Sequence, residues 1–240
     1  MTSSQNILAL IHEVAILFPV FLLLFSFRGF FKAATALVLG DKTAQEEGFL
    51  TLNPFVHLDI LSLAMFVGIV YFVGGMLGDF IPRPFLFLIL ISVGQRWLID
   101  APVTTGSFKH PRFYEILYGL SGAVSFLVLG FIGLLLMKIL NLNNLPRYAF
   151  TSLVEILRSL IDAALFYGAV NLIPLPPLDA SRILYPLTPP ENHHVIDTLH
   201  EYDYMIILAI YLLPGVSHIF WYLVTTIQIS IKTMFIAILF

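Results

Sequence analysis

The sequence predicts an all-α polytopic membrane protein, on three observations. Of its 240 residues 59% are hydrophobic and only 11% are charged, whereas a soluble domain is near half apolar and a quarter charged. Mean hydropathy is +0.93. The apolar residues fall in long runs of span length, separated by short polar stretches that carry Gly, Pro and Asp. About six transmembrane helices fit such a chain, in a single transmembrane domain over residues 1–240.

The net charge of −3 is small and scattered, which argues against nucleic acid as a partner. The chain has no cysteine, so disulfides, thiolate metal sites and a cysteine nucleophile are excluded. The first apolar run contains His12 and Glu13 and has no basic leader or small-residue cleavage site. It reads as a retained helix and not as a signal peptide.

Core helices are expected at about 7–39, 59–77, 113–139, 148–173 and 204–240, the last with a break at 214–215. The first would be about 50 Å long, so it must tilt, kink at Pro19 or run beyond the membrane. Gly40-Asp41 ends it, and residues 43–57 read as a polar interfacial loop turning on Asn53-Pro54. Between 81 and 112, Pro82, Pro84, Pro102 and Pro111 oppose helix and favour short extended or re-entrant segments. In the 113–139 helix, Gly119, Gly122 and Gly130 allow close helix approach. The next span carries Glu155, Arg158 and Asp162, with Glu155 and Arg158 spaced to pair. It ends at Pro174-Leu175-Pro176-Pro177. Residues 191–203 form a polar connection with His193, His194, Asp197 and His200, a solvated segment by default and a surface metal site only with a closed ligand set.

Two cations, Arg28 and Lys32, lie four residues apart near the end of the first apolar helix, where hydrocarbon disfavours charge. One reading is that they snorkel to the interface. Asp179, after the proline run, reads either as a helix N-cap or as their partner.

Gly40-Asp41-Lys42-Thr43-Ala44, Gly48-Phe49-Leu50-Thr51-Leu52-Asn53-Pro54 and His57-Leu58-Asp59 resemble the GD-x-TA…GRLTLNP…HxD stretch of the site-2 proteases. The likeness is to the compact form of that family, without a PDZ domain. Asn171-Leu172-Ile173-Pro174-Leu175-Pro176-Pro177-Leu178-Asp179-Ala180-Ser181-Arg182 resembles the family's NLLPIPPLDGSR segment. Residues 94–103 and Leu120-Ser121-Gly122-Ala123 are similar more loosely to elements between the two. Three landmarks in order are more specific than one short motif.

The resemblance implies the site-2 protease fold and an intramembrane zinc site. In the family two histidines and a glutamate of an HExxH helix act with the aspartate of the second landmark. Imidazoles four residues apart share a helix face, a carboxylate completes three ligands, and the open position holds water. Carried onto this chain, the HExxH positions are Arg28, Gly29, Phe30, Phe31 and Lys32. Neither cation can replace an imidazole, and Gly29 offers no base. His12-Glu13 begins such a motif but has Ile16 in the second ligand position. The expectation is therefore a pseudoprotease with no catalytic residues, no metal and no cofactor. Its remnant active-site positions are Arg28, Gly29, Lys32 and Asp179, and Asn53 and Asn171 are candidates for binding a helix.

The leading function is a catalytically inactive binding or structural subunit of a hetero-oligomeric membrane protein complex, with the lipid bilayer and other membrane proteins as partners. One alternative is a regulator that sequesters transmembrane helices. Another is an active intramembrane metalloprotease with a relocated metal site drawn from His57, Asp59 and Asp179 or from the 191–203 histidines. A transporter role would rest on Glu13, Glu155, Arg158 and Asp162 alone, with no internal repeat to support it. The expected location is a bacterial inner membrane or an organelle membrane of bacterial descent.

Overall fold

In the computed structural model, residues 3–57, 100–104, 111–140 and 151–239 are described, and among them the regular structure is entirely helical. The expected span at 59–77, most of the 81–112 region and the 141–147 turn lie outside the described residues. Helix α1 covers Ser3–Val38 and continues through Pro19. At 36 residues it is about 54 Å long. Two single-turn helices follow, α2 (Thr43–Glu46) and α3 (Pro54–His57). Helices α4 (Pro111–Ile139) and α5 (Thr151–Asn171) come next, and a 3-10 turn at Asp179–Ile183 runs into α6 (Leu184–Leu187). Then come α7 (His193–Glu201), α8 (Asp203–Leu212) and α9 (Pro214–Leu239).

Segments Ala15–Val38 of α1, Arg112–Ile139 of α4 and Gly215–Leu239 of α9 are long and apolar enough to cross a membrane. Helix α5 has 21 residues, about 32 Å, and carries the charges of Glu155, Arg158 and Asp162. It packs along α1, α4 and α9 and shares their layer. The core lies where α1, α4, α5 and α9 meet, with Phe25, Phe126, Leu165, Val170 and Val224 buried together. Phe25 sits edge-on to Phe126 and Tyr167, centroids 5.9 and 5.2 Å away. Such aromatic pairs add about 0.5–1.5 kcal/mol beyond the area they bury.

Two expectations change in the structure. Residues 43–57 are not a plain loop: α2 and α3 fold back onto α1. Burial of Ala44 and His57 against α1 drives that return. Asn53 caps α3, its Oδ1 accepting from the Phe55 amide at 3.1 Å. Glu155 does not pair along its own helix with Arg158 but reaches across to His12 of α1, 3.5 Å away.

Asp41 clasps the turn after α1. Its Oδ1 accepts from the Thr43 amide at 2.9 Å and from Thr43 Oγ1 at 2.6 Å, and its Oδ2 accepts from the Thr104 amide at 2.6 Å. Burial pushes its carboxyl pKa up, but these three bonds outweigh it and hold it below the ordinary value. An Asp whose pKa is depressed by folding stabilises above its unfolded pKa, about 3.9, and loses that contribution as pH falls through its folded pKa. Asp41→Asn does not titrate. Thermal melts in detergent should therefore show wild type above Asp41→Asn at pH 7, with the gap narrowing below about pH 4.

Candidate functional site

The site begins where α5 stops. Pro174, Pro176 and Pro177 cannot donate to a helical ladder, and the segment turns through Leu175 N–Ile173 O and Leu178 N–Leu175 O bonds of 2.8 Å each. Asn171, fully buried, spans the break. Its Nδ2 donates to the Tyr167 carbonyl at 2.9 Å and its Oδ1 accepts from the Asp179 amide at 3.2 Å. The Asp179 amide, which the proline turn would leave open, is thereby satisfied. Leu178 holds the N-cap position and makes no side-chain cap bond, so the Asp179 carboxylate is available for another role.

That role is an ion pair with α1. Arg28 Nε donates to Asp179 Oδ2 at 2.8 Å and Arg28 Nη2 to Oδ1 at 2.5 Å, a bidentate fork. Lys32, one turn along α1, donates from Nζ to Asp179 Oδ1 at 3.0 Å. The same ammonium donates to both oxygens of Asp100 at 3.0 Å, and Arg28 Nη1 reaches Asp100 Oδ1 at 3.1 Å. The side chains of Arg28, Lys32 and Asp179 are 5%, 1% and 4% exposed, against 36% for Asp100. Snorkelling is thus not their role: both cations turn inward. At the open rim Arg182 Nη2 approaches Asp100 Oδ2 at 3.4 Å. Lys32 and Arg182 lie 5.3 and 5.4 Å from the centroid of the buried Tyr118 ring.

Close backbone approach makes this possible. A Cβ at Gly122 of α4 would overlap the Asp179 carboxylate, so a glycine there admits Asp179 beside α4. Gly29 has the same relation to His57, whose Nδ1 and Cγ fill the space that any side chain at position 29 would need. The His57 Nε2 is 2.7 Å from the Thr51 carbonyl oxygen. A carbonyl only accepts, so Nε2 carries the proton and Nδ1 is a bare acceptor, with no hydrogen-bond partner. Burial lowers the His57 pKa, the Thr51 bond opposes this, and the Arg28 charge lowers it further, leaving the ring neutral.

Of the candidates read from sequence, Arg28, Lys32 and Asp179 converge. Gly29 borders them, Asn171 braces Asp179, and Asn53 is an exposed cap. Sequence reading missed Asp100, Tyr118 and Arg182 as members of the cluster. One signal pointed to Asp100: two inward cations facing a single carboxylate demand a second anion. The 191–203 histidines are otherwise engaged. His193 Nε2 lies 3.1 Å from the Tyr185 and Thr188 carbonyl oxygens, Tyr185 donates to Asp197 at 2.8 Å, and His200 stacks on Tyr185. Among the described residues no three His, Asp or Glu side chains form a metal-binding group.

With this geometry in hand, comparison with known proteins gives the family. The chain is 30% identical over 208 residues to the Bacillus subtilis (strain 168) protein named "Putative zinc metalloprotease YwhC", a match covering 86% of this chain and 84% of that protein. The chain belongs to the site-2-protease-like metalloprotease family. No family model and no solved structure matches it.

The family implies a zinc ion, and the donors gathered here do not fit one. Arg28 has no lone pair to offer a metal, and both oxygens of Asp179 already accept from cations.

Breaking a buried ion pair from one side leaves an uncompensated charge, at a cost of about 3–5 kcal/mol. Asp179→Ala should destabilise by about that much. Adding Arg28→Met to it should recover part of the loss, a non-additivity that a thermal or denaturant double-mutant cycle measures directly.

Proposed function

We propose that the chain is a catalytically inactive member of its family that acts as a structural or binding subunit of a hetero-oligomeric membrane protein complex, built as a single transmembrane domain. The observation that carries this reading is the saturation of Asp179. Arg28 and Lys32 take both of its oxygens and themselves lie almost wholly out of solvent. By the family resemblance these are the remnants of the metal-ligand positions, and Gly29 is the remnant of the general base. A fixed cation at such a point keeps the carboxylate ionised without a metal, and a bidentate arginine does so rigidly. Rigidity of this kind suits a subunit held in one conformation better than an enzyme that must open a ligand position to water at each turnover.

The seat of His57 adds support. A glutamate introduced at position 29 would meet the imidazole ring, so the base is lost in its side chain and in the room for it. A relocated metal site is the weaker reading, because His57 spends one nitrogen on Thr51 and turns the other toward Gly29, away from any second donor among the described residues. The sequestering-regulator alternative shares the same fold and predicts transient partners in place of a fixed one.

Four measurements test the proposal. Purified protein should contain no stoichiometric zinc by elemental analysis, and strong chelators should leave its melting temperature unchanged. In mild detergent it should copurify in fixed stoichiometry with other membrane subunits; a free monomer, or zinc at one per chain, overturns the reading. Gly29→Ala should destabilise by about 1–3 kcal/mol through overpacking, and adding His57→Ala should relieve most of that, as thermal melts would register.

A further inference from the structure

Helix α7 packs against α6, the single turn that directly follows Asp179 and Arg182. At about 100° per residue, its side chains fall into three sectors. One faces protein: Ile196 is buried, His193 Nε2 lies 3.1 Å from the Tyr185 and Thr188 carbonyl oxygens, and His200 stacks on the Tyr185 ring. The second is exposed and polar, with His194, Asp197, Thr198 and Glu201. The third is exposed and apolar. Val195, Leu199 and, at the end of the helix, Tyr202 follow one another at four- and three-residue spacing and are 49%, 36% and 50% exposed. A surface helix of a soluble domain needs only the first two sectors, a core face and a water face.

Three surroundings could meet the apolar sector, and its size and position choose among them. Three side chains over about 10 Å of helix fall far short of the about 800 Å² per partner that a standard protein interface buries. Lipid sets no such minimum, and it is already beside this part of the chain. α7 leads within two residues into α8 and then into α9, whose segment Gly215–Leu239 is long and apolar enough to cross a membrane and has only 11% of its most apolar stretch buried. The exposed apolar surface continues along that path through Met205, Leu213, Val216 and Ile219. With nine residues, about 14 Å, α7 is too short to cross, and its polar sector belongs in water. A helix lying in the interface plane satisfies both exposed sectors at once. α7 carries two acids and no Lys or Arg, so zwitterionic lipid suits it and anionic headgroups offer it no attraction.

We propose that α7 is an interfacial helix whose Val195, Leu199 and Tyr202 face rests in the boundary between the headgroups and acyl chains of a zwitterionic phospholipid leaflet. Tyr202 is the aromatic type that favours this boundary, with its ring in the apolar layer and its hydroxyl toward the headgroups. The consequence is positional. Through His193 and His200 the helix is fixed to Tyr185 of α6, and α6 follows the Asp179–Ile183 turn without a break. A leaflet that holds α7 therefore holds the rim formed by Asp100 and Arg182 near the membrane surface.

The test places the full-length chain in phosphatidylcholine vesicles as a set of single-cysteine variants, each carrying a nitroxide spin label. Labelling is unambiguous because the chain has no cysteine of its own. Val195→Cys, Leu199→Cys and Tyr202→Cys report on the apolar sector, His194→Cys and Glu201→Cys on the polar one. Collision of each label with oxygen, which partitions into lipid, is compared with collision with a water-soluble nickel chelate. The oxygen-to-nickel ratio should be severalfold higher for the three apolar-sector labels than for the two polar-sector labels, as expected for a face sunk about 5–10 Å into the boundary. Melting temperatures check each variant, and the three apolar positions are read independently, so one misfolded variant leaves the other two to decide. Equal ratios at all five positions would mean that the face lies in water and overturn the inference. Low collision with both reagents at the apolar positions would mean that another protein or a second copy of the chain covers the face, and overturns it as well.

Discussion

The fork between Arg28 and Asp179 is the interaction on which the rest of the structure depends. An ion taken out of water costs several kcal/mol even after relaxation, and here three groups with almost no exposure are held within one hydrogen-bonded set. Removal of Asp179 would leave two buried cations facing the single carboxylate of Asp100. That mutual dependence dictates the surroundings. The proline turn after α5 delivers Asp179, Asn171 satisfies the backbone at the turn, and Gly122 leaves room for the carboxylate against α4. Phe25, three residues before Arg28 on α1, packs with Phe126 and Tyr167 in the buried core.

The same constraint reaches the segments outside the bundle. Asp100 brings a second anion to the two cations, and the residues after it are held by Asp41, which accepts from the Thr104 amide as well as from Thr43. The end of α1, the turn that follows it and the 100–104 segment are therefore one hydrogen-bonded unit. α3 closes over the unit from another side, with His57 seated against Gly29 and tied to Thr51. The site is filled by protein groups from five separate stretches of chain: α1, α3, Asp100, α4 and the turn at Asp179.

Its two charge systems give the molecule opposite inner and outer characters. The Asp179 cluster is hydrogen-bonded and closed except at the rim formed by Asp100 and Arg182. On the exposed face of α5, Glu155 faces His12 and Asp162 pairs with Lys232. An inner site filled by protein charges fits the proposed role as a subunit.

Membrane character, the break at the proline run and the family were legible from the sequence, because hydropathy, proline chemistry and ordered motifs are local properties of the chain. So was the oddity of Arg28 and Lys32, since spacing of four on an apolar helix needs no partner to be seen. Their joint grip on Asp179, the entry of Asp100, the occupation of the Gly29 space by His57, and the choice of His12 over Arg158 by Glu155 were decided only by tertiary structure. Each is a contact between residues far apart in sequence, selected by which helices meet and at what height. An ion pair records that meeting in distances of about 3 Å, and a linear pattern of residue types carries no such length.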